Sequence, residues 1–232
     1  MIEVRRSTDR GIANHGWLQS AHSFSFADYY DPRQMGFGVL RVINEDRVTP
    51  GQGFGTHSHR DMEIISYVLD GALEHRDSLG TGSVLRPGDV QRMSAGSGVT
   101  HSEFNASKAD PVHFLQIWIE PAIINVRPSY AEAHFASAIR NGRLQVIVSP
   151  DERDRSIAIN QDAAVYAGLL DGEHSVDMPL QAGRRAYVQV ARGALAVNGV
   201  ALTAGDGARL TSENCIHLRQ PVAAEVLVFD LP

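Results

Sequence analysis

The sequence predicts an all-β protein made of two β units joined by a short helix. Glycine is frequent, at 21 residues, and the apolar stretches between glycines are short. Short apolar runs rich in β-branched and aromatic residues, bounded by Gly, Pro, Asp or Asn, are typical of strands. Many closely spaced strands favour a sandwich or a barrel. An internal repeat of turn sequences then indicates two such units in one chain.

The strand-like runs extend along the whole chain. Each is short enough for a single strand, at roughly 4–8 residues, and each is rich in Val, Ile, Phe or Tyr. The clearest are Phe37–Ile43, Ile64–Leu69, Phe114–Ile119, Leu144–Val148, Ala186–Val190 and Val226–Leu231.

One segment in the middle of the chain has helical signals instead. Ser129 and Glu132 fit a capping box, in which Ser caps the helix and Glu reaches back to the amide of the cap. The pattern predicts a helix over residues 130–140 that ends near Asn141. We therefore expect two domains, residues 1–135 and residues 136–232, with the helix between them.

The internal repeat is carried by two turn sequences in the same order. Gly71-Ala-Leu73 recurs as Gly193-Ala-Leu195, each after a strand that contains Tyr-Val. Pro87-Gly-Asp89 resembles Ala204-Gly-Asp206 further along each copy. Since any β protein can reuse such turns, the common order of strands and turns is the stronger part of the signal.

Composition and charge exclude several classes of protein. The formal net charge is −6, which argues against a surface for nucleic acid or anionic membranes. Cys215 is the only cysteine, so no intrachain disulfide can form. No apolar run reaches the ~18 residues of a membrane span, and the first residues lack the apolar segment of a signal peptide. We expect a cytoplasmic protein.

Two short motifs indicate a metal site. His57-Ser-His59 and His101-Ser-Glu103 lie in Gly-rich β sequence. Residues i and i+2 of a strand point to the same face, so each motif presents two potential ligands to one side. Three imidazoles and a carboxylate suit Fe, Mn, Co, Ni, Cu or Zn, and six-coordination would leave open positions for a substrate. A lone histidine is more often structural, and it is the pairing of the two motifs that favours a ligand role.

The sequence resembles the pirin family within the cupins. The segment from Gly51 through His57-x-His59 looks like the first cupin motif, and the segment ending in His101-x-x-x-Asn105 looks like the second. The pirin-like segments are Asn14-His-Gly-Trp17, His22-Ser-Phe-Ser-Phe26, Leu40-Arg-Val-Ile-Asn44, His57-Ser-His-Arg-Asp-Met-Glu63, Met93-Ser-Ala-Gly96 and Gln116-Ile-Trp118.

The resemblance implies a bicupin, with two jelly-roll-like β-barrels and a metal in the first. It implies that His57, His59, His101 and Glu103 are the ligands, with Fe(II) the expected metal and Zn, Cu, Ni, Co or Mn as alternatives. Spacing alone leaves Glu63 open as the carboxylate ligand, although a structural role suits it better. The C-terminal domain has no corresponding ligands, because the repeat aligns His101 with Leu218, and its site is expected to be degenerate.

The resemblance further implies quercetin 2,3-dioxygenase activity on flavonol-like substrates with O2. In that reading, Glu103 is both a ligand and the catalytic base. Two other readings remain open: a non-enzymatic metal- or redox-sensing regulator that acts through a protein partner, and a cupin enzyme for another metabolite. We expect a monomer that binds neither nucleic acid nor membrane.

Overall fold

The structure, a computed structural model, describes all residues from 1 to 232. It contains a single short α-helix, α1 (Ser137–Arg140), and 3-10 turns at Ser7–Asp9 and Arg153–Arg155. No helix is long and apolar enough to cross a membrane. The strands are β1 (Ile2–Arg5), β2 (Gly11–Asn14), β3 (Leu18–His22), β4 (Leu40–Val48), β5 (Gly53–His59), β6 (Glu63–Asp70), β7 (Leu73–Asp77), β8 (Gly82–Leu85), β9 (Asp89–Ser94), β10 (Val99–Asn105), β11 (Val112–Ile119), β12 (Ser129–His134), β13 (Leu144–Ser149), β14 (Ile157–Ala158), β15 (Ala164–Leu170), β16 (Val176–Pro179), β17 (Arg185–Val197), β18 (Val200–Thr203), β19 (Gly207–Thr211) and β20 (Cys215–Leu231).

The chain divides into two compact units. The N-terminal unit comprises residues 11–134 and 157–161, and the C-terminal unit comprises residues 1–10, 135–156 and 162–232. The first ten residues belong to the C-terminal unit because β1 pairs with β19.

The N-terminal unit is a sandwich of two antiparallel sheets. The larger sheet has the order β12-β9-β6-β11-β4-β3-β2, and the smaller has the order β5-β10-β7-β8. Side chains from the two sheets meet in the interior, where Glu103 on β10 accepts hydrogen bonds from Ser66 on β6 and Gln116 on β11. The sheets are jelly-roll-like and do not close into a barrel, which confirms the predicted all-β, jelly-roll-like fold.

A polar layer divides the interior of this sandwich into two apolar clusters. One cluster includes Val68 and Phe114, and the other includes Ile64 and Met93. Because strand residues alternate in direction, the inward position between Ile64 and Val68 falls to Ser66. The corresponding inward positions of β9, β10 and β11 carry Gln91, His101, Glu103 and Gln116, all of them buried.

The C-terminal unit has an apolar interior. Its sheet has the order β1-β19-β17-β20-β15-β13, with β16 added beside β20 and β18 beside β17. Leu218, which the sequence repeat aligns with His101, is fully buried in an aliphatic cluster with Val197 and Ile216. Cluster residues such as Val188, Leu202 and Val226 fill the rest of that interior.

The internal repeat is a repeat of topology. In the N-terminal unit, β6 pairs with β9 and β11, and β7 pairs with β8 and β10. In the C-terminal unit, the first part of β17 pairs with β19, its last part pairs with β18, and both parts pair with β20. Gly71 lies between β6 and β7, and Gly193 lies between the part of β17 that pairs with β19 and the part that pairs with β18. Both glycines have positive φ, at 79° and 66°.

The predicted connecting helix is wrong over most of its length. Residues Ser129–His134 form β12, which pairs with β9 in a register that places Ser129 opposite Ser94. Glu132 accepts a hydrogen bond from the Tyr130 hydroxyl at 2.6 Å and does not cap a helix. The ladder to β9 satisfies the backbone groups that a helix would otherwise pair internally, so only Ser137–Arg140 is helical.

Candidate metal centre and its cavity

Three histidines meet on the inner face of the smaller sheet. β5 carries His57 and His59, and β10 carries His101 directly opposite His57. The Nε2 atom of His101 lies 3.1 Å from Nε2 of His57 and 3.0 Å from Nε2 of His59. The alternation of two paired strands thus brings the predicted imidazoles together.

The short nitrogen–nitrogen distances fit a shared cation better than hydrogen bonds among the rings. One imidazole nitrogen either carries a proton or accepts one, so Nε2 of His101 cannot donate to both neighbours. Metal–nitrogen bonds of about 2.1 Å put adjacent ligands of an octahedron about 3.0 Å apart. The observed 3.0 Å and 3.1 Å would therefore allow the three imidazoles to bind one divalent cation.

His59 and His101 are held in the neutral form that binds metals. Burial and the neighbouring His101 and His57 rings together lower the pKa of His59 to about 4. Burial also lowers the pKa of His101 to about 3, with contributions from His57 and His75. The Nδ1 atom of His57 lies 2.8 Å from the carbonyl oxygen of Gly55, which accepts its proton and leaves Nε2 free as a ligand.

Glu103 lies beside this group, fully buried. Two groups of possible ligand atoms, each within 4.8 Å of one another, share His101. One group is His57, His59 and His101, and the other is His75, His101 and Glu103. The Oε1 atom of Glu103 accepts hydrogen bonds from Ser66 at 2.9 Å and Gln91 at 3.0 Å, and its Oε2 accepts one from Gln116 at 2.7 Å. A carboxylate has about four acceptor positions, so one remains for a cation.

His75 connects the histidine group to a buried carboxylate. Its Nδ1 lies 3.5 Å from Nδ1 of His101, and its Nε2 lies 3.1 Å from Oδ2 of Asp77. The side chains of both His75 and Asp77 are 0% exposed. When His101 binds through Nε2, its Nδ1–H donates to His75, which in turn donates to Asp77. No motif in the sequence marked His75 as part of the site, although the spacing His75-x-Asp77 places both side chains on one strand face.

Glu63 belongs to a different group of polar residues. Its Oε2 accepts a hydrogen bond from Ser94 at 2.8 Å, and its Oε1 accepts one from Asn160 at 3.0 Å. Arg92 lies 3.9 Å from the same carboxylate. Glu63 is fully engaged in these contacts and is absent from the metal-ligating groups.

A cavity of about 730 Å³ opens beside the histidines. His57 and His59 lie in its wall, and aromatic rings cover much of the rest, including Trp17, Phe26, Tyr29, Phe54 and Trp118. The volume is in the range of sites for small organic ligands. The Trp118 ring stands edge-on to His59, with centroids 5.0 Å apart, so the cavity and the histidine group are directly joined.

A polar strip from β3 and β4 forms another part of the cavity wall. Ser20 donates a hydrogen bond to Asp46, and Nδ1 of His22 lies 2.8 Å from Oδ1 of Asn44. These four residues are buried and line the cavity. Asn44 ends the pirin-like segment Leu40-Arg-Val-Ile-Asn44, whereas no motif marks Asp46 because β4 reads as an ordinary strand.

A second cluster of possible ligands lies on the surface of the C-terminal unit. It consists of Asp177, Cys215 and His217. Asp177 already accepts hydrogen bonds from His217 and from Arg219, whose positive charge opposes a cation at this place. We assign no function to it.

The fold and the site together define a bicupin, with a group of metal-ligating side chains in the N-terminal unit and an apolar interior in the C-terminal unit. Two family models match the chain: Pirin, over residues 3–119, and the quercetinase C-terminal cupin domain, over residues 146–231. The chain belongs to the pirin family.

Relatives of known name and structure agree with this assignment. The chain is 46% identical to a protein named quercetin 2,3-dioxygenase from Escherichia coli, over 100% of this chain and 99% of the relative. It is 40% identical to a pirin-like protein of Caulobacter vibrioides over 99% of both chains. The crystal structure of the bacterial pirin YhhW from E. coli in complex with nickel(II) superposes with a TM-score of 0.95 at 45% identity, covering 100% of this chain and 99% of that one.

Proposed function

We propose that the protein is a metal-dependent dioxygenase that opens flavonols such as quercetin with O2 and releases carbon monoxide. The observation that carries this proposal is the convergence of three Nε2 atoms, 3.0 Å and 3.1 Å apart, in the wall of a 730 Å³ aromatic cavity. The E. coli relative named quercetin 2,3-dioxygenase supports the choice of substrate.

The ligands in this proposal are His57, His59, His101 and Glu103. A divalent transition metal bound there supplies Lewis acidity toward the 3-hydroxyl and 4-carbonyl oxygens of a flavonol, and a redox centre for O2. The donor set of three nitrogens and one oxygen suits Fe(II), which we propose as the native metal, and it also accepts the nickel(II) seen in the YhhW structure.

The chain's own residues position the substrate and exclude water. Trp118, Phe26 and Tyr29 offer flat apolar surfaces to the fused rings of a flavonol. Gln116 lies in the cavity wall and donates to Glu103, which fixes that carboxylate with respect to the histidines. The rings thus orient the flavonol while the buried polar layer holds the ligands still.

The role of Glu103 as the base stays a prediction, and so do the monomeric state and the cytoplasmic location. The hydrogen bonds that Glu103 accepts from Ser66, Gln91 and Gln116 bear directly on its role as a base.

The test combines metal content with turnover. Protein purified without added metal or chelator is analysed for its elements, and flavonol loss, O2 uptake and carbon monoxide release are then measured. We expect about one metal per chain in the wild type, and loss of both metal and activity in His57→Ala and Glu103→Gln. The matched control is His134→Ala, whose side chain is 60% exposed and pairs with Asp89. Equal activity in all four proteins would remove this site from the reaction.

A further inference from the structure

Flavonol oxidation needs a group that accepts the proton of the 3-hydroxyl, since the flavonolate is the species that reacts with O2. This requirement rests on the proposed function. The acceptor must reach the cavity and have a free lone pair where the substrate binds.

Glu103 does not meet these conditions if it is also a ligand. Hydrogen bonds from Ser66 and Gln91 occupy Oε1, and one from Gln116 occupies one position of Oε2. A cation would take the remaining position, because a carboxylate has about four. Glu103 is 0% exposed and is not part of the cavity wall.

Asp46 meets both conditions. It lies on β4 in the wall of the cavity that His57 and His59 also line. The hydroxyl of Ser20, which is its neighbour across the β3–β4 ladder, donates to Oδ1. No other side chain donates a hydrogen bond to this carboxylate, so acceptor positions remain.

The surroundings of Asp46 favour a carboxyl group that exchanges a proton near neutral pH. The pKa of Asp46 is raised to about 7, mainly by burial; the charges of Glu103 and Glu45 act in the same direction and the Ser20 hydrogen bond opposes them. The other titratable groups that line the cavity are His15, His22, Asp28, Tyr29 and the two histidines of β5, His57 and His59. A carboxylate with a raised pKa is a stronger base than an ordinary one.

We propose that Asp46 is the catalytic base that removes the proton from the 3-hydroxyl of the bound flavonol. The O–H bond of the substrate breaks, an O–H bond forms on Asp46, and the negative charge passes to the flavonol oxygen. Ser20 is a positioning residue that holds the acceptor by its other oxygen. Glu103 then remains a ligand.

The experiment compares Asp46→Asn with Glu45→Gln. Glu45 is the adjacent residue of β4, it is also buried, and it contacts His113 and Arg47 outside the cavity. Both variants are first checked for metal content and for circular dichroism. Quercetin is then added without O2, and the red-shifted absorption of the flavonolate is recorded before turnover is measured in air.

We expect Asp46→Asn to bind quercetin in its neutral form and to lower kcat by about 100-fold or more, with KM little changed. Glu45→Gln should still form the flavonolate and turn over, because the charge of Glu45 is the smallest contribution to the raised pKa of Asp46. If Asp46→Asn forms the flavonolate and turns over at the wild-type rate, the proposed base is wrong while the proposed function stands. If the wild type itself neither ionises nor oxidises quercetin, the proposed function fails and the base fails with it.

Ser20→Ala provides a second test that keeps the carboxyl group. The Ser20 hydrogen bond lowers the pKa of Asp46, so its removal should move the acid limb of the kcat–pH profile to higher pH. An acid limb that stays in place, or that moves to lower pH, would contradict the assignment even if Asp46→Asn failed to fold.

Discussion

His75 makes a specific prediction about how tightly the metal is held. The ring lies between His101 and Asp77 and stacks on Tyr130, with ring centroids 4.8 Å apart. Partners of this kind orient a ligating histidine, and their loss typically lowers metal affinity by about 10- to 100-fold. We therefore expect His75→Phe, which preserves the ring packing but removes both nitrogens, to weaken metal binding by that factor in a competition titration with a chromophoric chelator.

His134→Ala is the control for this titration because its side chain is largely exposed. Wild-type affinity in His75→Phe would show that the contact with His101 does not orient the ligand. A fall in affinity with unchanged circular dichroism would separate the effect from a loss of folding.

Asp46 should lower the stability of the metal-free protein at neutral pH. Its pKa is raised from the ordinary 3.8 to about 7 in the folded state. Between these two values the unfolded chain releases the proton while the folded chain keeps it, so stability falls as pH rises through this window and the full cost is present above pH of about 7. Asp46→Asn should remove that cost.

Denaturant titrations of the chelated protein would measure this difference. We expect Asp46→Asn to be more stable than the wild type at pH of about 8, by at most a few kcal/mol, with the gap closing toward pH of about 4. A gap that widened as the pH was lowered would show that Asp46 is ionised in the folded protein throughout.

The histidine group could be predicted from the sequence, whereas the residues around it could not. His57, His59 and His101 could be predicted because strand alternation is a local rule that depends only on spacing. Asp46 and His75 approach the site from other strands of the sandwich, and their proximity depends on which strands are neighbours. One sequence without that topology cannot place them.

At the scale of whole elements, the strands were predictable and the connecting helix was not. The apolar runs quoted from the sequence lie in strands, because each run is bounded by turn residues. The exception is the start of the first run: Phe37 precedes β4 and forms an isolated bridge with Leu40. The helix failed because β9 offered residues 129–134 an exposed edge to pair with. A capping box is a local signal, and tertiary pairing outweighed it.

Gly193 makes a prediction about the long strand β17. It has a φ of 66°, and an added Cβ would lie 2.2 Å from the carbonyl oxygens of both Val222 and Ala223. Gly193→Ala therefore combines left-handed strain with a backbone clash, and we expect it to lower the free energy of unfolding by about 2–5 kcal/mol.

Gly199→Ala is the matched control for Gly193→Ala. Its φ of 83° is also left-handed, but nothing lies within 4 Å of an added Cβ. Gly199→Ala should therefore lower the free energy of unfolding only by the left-handed strain, about 1–2 kcal/mol. Equal losses in the two variants, measured by far-ultraviolet circular dichroism in denaturant, would mean that the clash is relieved by movement of β20.

At the scale of the whole molecule, the two units differ in what fills their interiors. The N-terminal unit contains a buried polar layer, and the C-terminal unit contains an aliphatic cluster. A buried polar layer carries a desolvation cost that its hydrogen bonds must offset, and a cation shared by the histidines would add stabilising contacts. Metal binding should therefore stabilise the N-terminal unit directly.

Tryptophan fluorescence can isolate this effect, because the two tryptophans, Trp17 and Trp118, both belong to the N-terminal unit. A metal at 100 times its Kd adds about 2.7 kcal/mol to stability, which corresponds to roughly 10 °C in the unfolding temperature. We expect Fe(II) or Ni(II) to raise the fluorescence-detected midpoint by this amount in the wild type and to leave it unchanged in His57→Ala.

Because Trp118 touches His59, metal binding should also quench the emission of Trp118, and Trp118→Phe should lose the quenching while keeping the thermal shift. A thermal shift of the same size in His57→Ala would place the stabilising metal somewhere other than the histidine group.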